Sequence, residues 1–135
     1  MANIWWRVLG SGLLVSLPCI AAAQSSGDDV RKRHITCAAV LGTAGTISAD
    51  KKLQDRLAGA SMLLLTWASD LITDQAAKAR TDQVAREFAG QVTEIGHTIK
   101  AGTPAAAKTF EEKYGGAQKA CETWFLAETK KRKSP

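Results

Sequence analysis

The strongest hydrophobic pattern in the chain lies between Leu53 and Ile72. Apolar residues recur there at alternating spacings of four and three, which places them along one face of an α-helix. They are Leu53, Leu57, Ala60, Leu64, Trp67 and Leu71. Further apolar residues widen this face, namely Met62, Leu63, Leu65, Ala68 and Ile72. Because a helix that is apolar on several sides needs several packed neighbours, we predict that this helix is the buried centre of a bundle.

A first helix is predicted upstream of this stretch. Ser26 and Asp29 form an S-x-x-D start signal, and the helix should end near Ile47. Its apolar face is narrow and consists mostly of small residues, which let a neighbouring backbone approach closely: His34, Cys37, Ala38, Leu41, Ala44 and Gly45. Ser48 is the predicted N-cap of the helix that follows.

Two more helices follow the strongest stretch. Beyond Leu71 the apolar stripe would continue into charged residues, and a new stripe begins at Val84. A turn is therefore predicted between Thr73 and Asp82. One of the two threonines at 73 and 81 is the expected cap of the next helix. The third helix should end near Lys100, before a C-terminal glycine signal. Thr103 and Pro104 are the expected start of the fourth helix, which Gly115-Gly116 could kink.

The N-terminal residues have the pattern of a secretory signal peptide. A short region with one basic residue is followed by an apolar segment from Val8 to Leu17, a proline, and three small residues ending at Ala23. We predict cleavage near Ala23, giving a signal peptide at 1–23 and a periplasmic or secreted protein. Two alternatives are a retained membrane anchor, for which the segment is short, and lipid attachment at Cys19, which follows Pro18 rather than a small residue.

Two cysteines, Cys37 and Cys121, remain after the predicted cleavage, and an even pair in an exported protein indicates a disulfide. In an antiparallel four-helix bundle the start of the first helix and the end of the last lie at the same end, so these residues come level. The predicted fold is therefore all-α: a small antiparallel four-helix bundle at 24–129, stapled by Cys37 and Cys121 and followed by a basic tail at 130–135.

Charge is concentrated at the C-terminus. The chain has a net charge of +5, and once Arg7 leaves with the signal peptide the tail accounts for the whole remaining excess. These basic residues favour the negative end of the last helix dipole, or they contact an anionic surface such as lipid head groups. They are Lys130, Lys131, Arg132 and Lys133. Export and the absence of a basic face argue against nucleic acid as a partner.

One group of residues is predicted to gather at the base of the bundle, where the first helix starts and the last one ends. His34 should lie near Trp124 and Glu128, with Phe125 beside Trp124, and Trp67 and Phe88 should fall in the same basal half. Such a cluster could contact a ligand or partner, or it could be ordinary core. No metal site or cofactor is predicted, since His34 and His97 fall at opposite ends and no haem motif is present.

The sequence contains no recognisable catalytic arrangement. Glu111 and Glu112 are adjacent and point apart, and no nucleophile motif surrounds a serine. We therefore expect no enzyme activity. The favoured hypothesis is an exported protein-binding module, such as an inhibitor, a toxin-immunity protein or an envelope chaperone, with another envelope or exported protein as its partner. The alternative is a small-ligand carrier that uses an aromatic pocket at the base of the bundle.

Overall fold

The computed structural model describes residues 27–133, and this part of the chain consists of four α-helices and no strand. Helix α1 covers residues 27–47. It is followed by α2 (Lys51–Asp70), α3 (Ala77–Ile99) and α4 (Ala106–Lys133). The predicted all-helical fold is confirmed over this range. The predicted signal peptide at 1–23 lies outside the described residues.

The N-terminus of α2 is capped by Asp50. Its carboxylate accepts hydrogen bonds from the backbone N–H groups of Lys52 and Leu53, at 3.0 and 3.4 Å. Ser48, which we predicted as the cap, lies two residues before the actual cap, and its hydroxyl instead accepts the N–H of Asp50 at 3.1 Å. The charged side chain of Asp50 thus satisfies two of the free backbone donors of the first turn.

The other helix ends differ from the sequence predictions by a few residues. The α2–α3 turn covers 71–76, and Ala76 begins α3 without a side-chain cap, so neither threonine at 73 or 81 has that role. Lys100 ends α3 in the left-handed conformation at a φ of 54°, followed by Gly102 at a φ of 89°. Helix α4 begins at Ala106 and is continuous through Gly115-Gly116.

Contacts between the helices define an antiparallel arrangement. At the start of α1, His34 contacts Trp67 near the end of α2 and Trp124 near the end of α4. At the end of α1, Gly45 lies against Leu57 in the first half of α2. Arg31 forms a salt bridge to Glu87, in the first half of α3, at 3.4 Å. The four helices therefore run alternately up and down, as in an antiparallel four-helix bundle.

The disulfide between Cys37 and Cys121 joins α1 to α4. Their Cα atoms are 5.4 Å apart, and both residues are buried. This pairing is the one that the sequence predicts. It closes a loop across 84 positions of the chain, so it links the first and last helices of the bundle directly.

The central helix is α1, and our prediction that the helix around Leu64 is buried on several sides is wrong. Helix α1 contacts α4 through the disulfide, α2 through a 2.8 Å hydrogen bond from the Ser61 hydroxyl to the Ala38 carbonyl, and α3 where Gly42 faces Phe88. By contrast, Met62 and Leu63 of α2 are 70% and 45% exposed. The small side chains of α1 allow three helices to approach its backbone, whereas α2 keeps one side in solvent.

Candidate functional site

His34 occupies the base of the bundle and is only 2% exposed. Its ring is nearly perpendicular to those of Trp67 and Trp124, with centroids 6.1 and 4.7 Å away. The Nδ1 atom lies 2.7 Å from the backbone carbonyl oxygen of Val30, a geometry in which Nδ1–H donates. The other ring nitrogen, Nε2, is buried and has no hydrogen-bond partner among residues 27–133. The imidazole is thus held in one tautomer.

Two arginines cover the tryptophans from outside. The guanidinium carbon of Arg33 lies 4.4 Å from the ring centroid of Trp124, and that of Arg132 lies 4.1 Å from the ring centroid of Trp67. Phe125 stacks on Trp67 with an interplanar angle of 24°. We call this group the basal arginine–aromatic cluster; it consists of Arg33, His34, Trp67, Trp124, Phe125 and Arg132.

Burial lowers the pKa of His34 below its ordinary value of 6.5. The positive charges of Arg132 and Arg33 lower the pKa further, whereas the Val30 carbonyl and the negative charge of Glu128 raise it. Burial is the largest of these effects, because removal from water penalises the charged form of the imidazole. His34 is therefore neutral at neutral pH.

The structure brings together most of the residues that the sequence placed at the base. His34, Trp67, Trp124 and Phe125 are in contact, and Glu128 acts on His34 through its charge. The basic residues at 130–133 are helical and form the last turn of α4 instead of a separate tail, and Arg132 covers a tryptophan.

Arg33 is the member of this cluster that the sequence analysis missed. It lies next to His34 near the start of α1, and it is exposed while its guanidinium is stacked on Trp124. A search for cations beside the predicted basal aromatics would have found it, because the antiparallel topology already placed this turn of α1 opposite the end of α4.

A second surface lies between α2 and α3, away from the basal cluster. A groove of about 680 Å³ is lined by residues of α1, α2 and α3, and Met62 and Leu65 also line an adjoining groove of about 370 Å³. A smaller pocket of about 150 Å³ lies between α2 and α4, beside the 3.3 Å salt bridge of Arg56 and Glu122. None of these three spaces is lined by His34, Trp67 or Trp124.

Function has to be argued from this geometry. No family model, curated protein sequence or solved structure matches the chain. Within residues 27–133, no three or more His, Cys, Asp or Glu side chains are grouped to hold a metal ion. No helix of the described range is long and apolar enough to cross a membrane. The candidate sites are therefore the basal arginine–aromatic cluster and the α2–α3 groove.

Proposed function

We propose that the protein is an exported, non-catalytic binding module that captures an acidic surface of another exported protein through its basal arginine–aromatic cluster. The observation that carries this proposal is the pair of exposed arginines, Arg33 and Arg132, each stacked on a half-buried tryptophan around one closed histidine. Tryptophan and arginine are the residue types that most often dominate the energetics of protein–protein interfaces.

The stacking prepares both guanidinium groups for binding. A guanidinium resting on an aromatic face gains about 0.5–1 kcal/mol at an exposed site, which reduces the freedom that it would otherwise lose on binding. Its planar fork of N–H donors matches a carboxylate, which can accept two of them at once. Within the described range neither Arg33 nor Arg132 forms a salt bridge, and both residues are exposed.

Charge around the cluster favours an acidic partner. Lys32 of α1 is exposed beside Arg33, and Lys131 and Lys133 are exposed in the last turn of α4 beside Arg132. Such a concentration of one sign attracts a surface of the opposite sign and speeds its association. Glu128 is half-buried and is the acidic residue whose charge reaches His34. The partner surface should therefore present aspartate or glutamate side chains.

Packing within the cluster favours a protein surface over the two other candidate partners. The His34 side chain is closed to solvent, and the rings around it pack against one another, so a small ligand has no room between them. An anionic membrane would draw on exposed tryptophans, which insert at the headgroup level, whereas Trp67 and Trp124 are partly buried under the arginines.

Export is part of the proposal. Disulfides form and persist in oxidising compartments, and the bond between Cys37 and Cys121 is consistent with such a compartment. The predicted signal peptide at 1–23 would deliver the chain there. A measured intact mass that begins after Ala23 would support this route, and a mass beginning at Met1 would contradict it.

The proposal is tested by crosslinking the exported protein in cells, capturing it, and identifying the bound protein by mass spectrometry. The identified protein is then purified and its affinity is measured by calorimetry against the wild type and the double variant Arg33→Glu/Arg132→Glu. We expect the variant to lose at least a hundredfold in affinity, because two favourable charges become repulsive. Affinity should also fall as salt is raised.

The matched control is Lys108→Glu/Lys113→Glu, which makes the same change in net charge at exposed positions near the other end of α4. This control should bind the partner with at most a few-fold change. Equal losses in the two double variants would show a general effect of net charge and would contradict the assigned site. Binding of the wild type to vesicles containing anionic lipid, without binding to any protein, would also contradict the proposal.

A further inference from the structure

The α2–α3 groove has the size and lining of a small-molecule site. Its floor is formed by α1, where Gly42 and Gly45 have no side chains, and its walls carry Met62, Leu65, Phe88 and Val92. Its volume of about 680 Å³ falls in the range of pockets that hold small ligands, and the apolar lining is typical of them. Methionine at the rim adds an adaptable apolar contact, because its side chain is flexible and polarisable.

Thr43 supplies a hydrogen-bonding group to this apolar groove. It lines the groove and is 9% exposed, and its hydroxyl has no hydrogen-bond partner within the described part of the chain. Other helical threonines, such as Thr66, Thr93 and Thr98, donate to the carbonyl oxygen four residues earlier. A buried hydroxyl without a partner is unfavourable. Because threonine in a helix has two accessible χ1 rotamers, the hydroxyl can turn toward a ligand without a shift of α1.

The charged groups around the groove balance one another. Asp55 lines the larger groove and is paired with Lys51 at 3.1 Å. At the far end of the adjoining groove, Arg80 and Asp70 oppose each other in sign. With Lys51 counted, the charges around the two grooves sum to zero, and an uncharged molecule fits the groove better than an anion or a cation.

We infer that this groove binds a small, uncharged, mostly apolar molecule with an oxygen acceptor, such as a ketone or ester. Its oxygen accepts a hydrogen bond from the Thr43 hydroxyl. The apolar body lies along Leu65 and Phe88.

The width of the groove floor favours a slender molecule over a helix of a partner protein. A Cβ atom built on Gly42 would lie 3.2 Å from the Ser61 hydroxyl and 3.8 Å from the Phe88 ring. Helices α2 and α3 thus both approach α1 closely at this point. An α-helix with its side chains is about 10–12 Å across, so its backbone could rest on the rim at Met62 but could not enter the space between α2 and α3 at Gly42.

The test uses two neutral fluorescent probes and the purified, oxidised protein. Prodan is a naphthalene that carries a ketone, and N-phenyl-1-naphthylamine is an aromatic probe of similar size without oxygen. Both are titrated against the wild type and against Thr43→Val, which removes the hydroxyl and keeps a similar shape. We expect Thr43→Val to bind prodan two- to tenfold more weakly, as for the loss of one neutral hydrogen bond, and to bind the oxygen-free probe equally well.

Two further variants locate the probes. Ala58→Leu places a larger side chain at the lining of the groove and should abolish binding of both probes, whereas Leu126→Ala, on the exposed surface of α4, should leave both affinities unchanged. The melting temperature of Thr43→Val should be no lower than that of the wild type, because the variant no longer buries an unpaired hydroxyl. That result separates a loss of ligand contact from a loss of folding.

Three results would overturn this assignment. Equal prodan affinity in Thr43→Val and the wild type would mean that the hydroxyl does not contact the ligand. Unchanged binding in Ala58→Leu would place the probe elsewhere on the molecule. Failure of the wild type to bind either probe would contradict a small-molecule site in the groove. That result would be expected if Met62 instead belongs to a surface that a partner protein covers.

Discussion

Helix α1 has smaller apolar side chains than α2, yet it is the more deeply buried of the two. Helix α2 contains three consecutive leucines, yet Leu63 is 45% exposed and its neighbour Met62 is 70% exposed. The second half of α1 is built largely from alanine, glycine and threonine, and Ala38, Ala39 and Leu41 are completely buried. Both helices contact all three others, but the helix with the smaller side chains is the more completely buried.

The difference shows that the centre of this bundle is decided by how closely backbones can approach. At Gly45, an added Cβ would lie 3.3 Å from the Cβ of Leu57, so α1 and α2 are nearly in backbone contact there. Large side chains on α2 fill the core from one side only and leave a second apolar side in solvent. That second side borders the α2–α3 groove, so the same packing choice produces both the core and a candidate binding surface.

The largest effect should come from separating α1 from α4. Replacing both cysteines, Cys37→Ala/Cys121→Ala, removes a crosslink across 84 positions of the chain. The chain-entropy model predicts a loss of about 4–5 kcal/mol in the free energy of unfolding. Urea unfolding followed by circular dichroism measures it. A loss below about 1 kcal/mol would show that the packing of α1 is sufficient without the staple.

A pair of truncations compares the two helices directly. Leu41→Ala, at a completely buried position of α1, should lower the free energy of unfolding by about 2–5 kcal/mol, because it leaves a cavity. Met62→Ala, at an exposed position of α2, should lower it by less than about 0.5 kcal/mol. Both values come from the same urea titration. Similar losses in the two variants would mean that α2 is as central as α1.

Two glycines give a finer comparison at the level of one methyl group. In Gly42→Ala the new Cβ would lie 3.2 Å from the Ser61 hydroxyl, which already donates to the Ala38 carbonyl, so we expect a destabilisation of about 1 kcal/mol. In Gly59→Ala the Cβ meets nothing within 4 Å, and the better helix propensity should stabilise the protein by about 0.5–1 kcal/mol. Opposite shifts in melting temperature are expected. Shifts of the same sign would contradict the close approach of α2 to α1.

The smallest effect is expected from pH. Burial lowers the pKa of His34, so the folded protein binds this proton less readily than the unfolded chain. The stability contributed by neutral His34 is fully present above pH 6.5 and is lost as the pH falls below it. The melting temperature should therefore fall more between about pH 7 and pH 5 in the wild type than in His34→Gln.

The control for this experiment is His97→Gln, which removes a histidine from an exposed position of α3. It should reproduce the wild-type dependence on pH. A wild-type dependence that persists in His34→Gln would assign the titration to another group.

Sequence patterns predicted much of the fold because they report local propensities and pairings. The four helices, the Cys37–Cys121 disulfide and the buried face of α1 follow from spacing, caps and cysteine count. Helix ends moved by a few residues because caps such as Asp50 and Ser48 lie close together and compete. Our prediction that α2 is buried on several sides was wrong. Hydrophobicity shows which residues can be buried, but which of them are covered depends on the packing of all four helices.

The candidate sites were only partly accessible from the sequence. The gathering of His34, Trp67 and Trp124 follows from topology, since the start of α1 and the ends of α2 and α4 share one end of the bundle. The stacking of Arg33 and the unpartnered hydroxyl of Thr43 depend on side-chain rotamers. Sequence spacing does not predict these rotamers. Neither the stacked Arg33 nor the α2–α3 groove with Thr43 could therefore be predicted from the sequence.

Hydrogen exchange of the backbone amides, measured by mass spectrometry on the oxidised protein, tests the central position of α1 most directly. Peptides from residues 35–45 should exchange most slowly, at a rate set by global unfolding, because nine of these eleven residues are buried. Peptides around Met62 in α2 should exchange faster through local opening. Slower exchange in α2 than in α1 would contradict the account and restore α2 as the centre of the bundle.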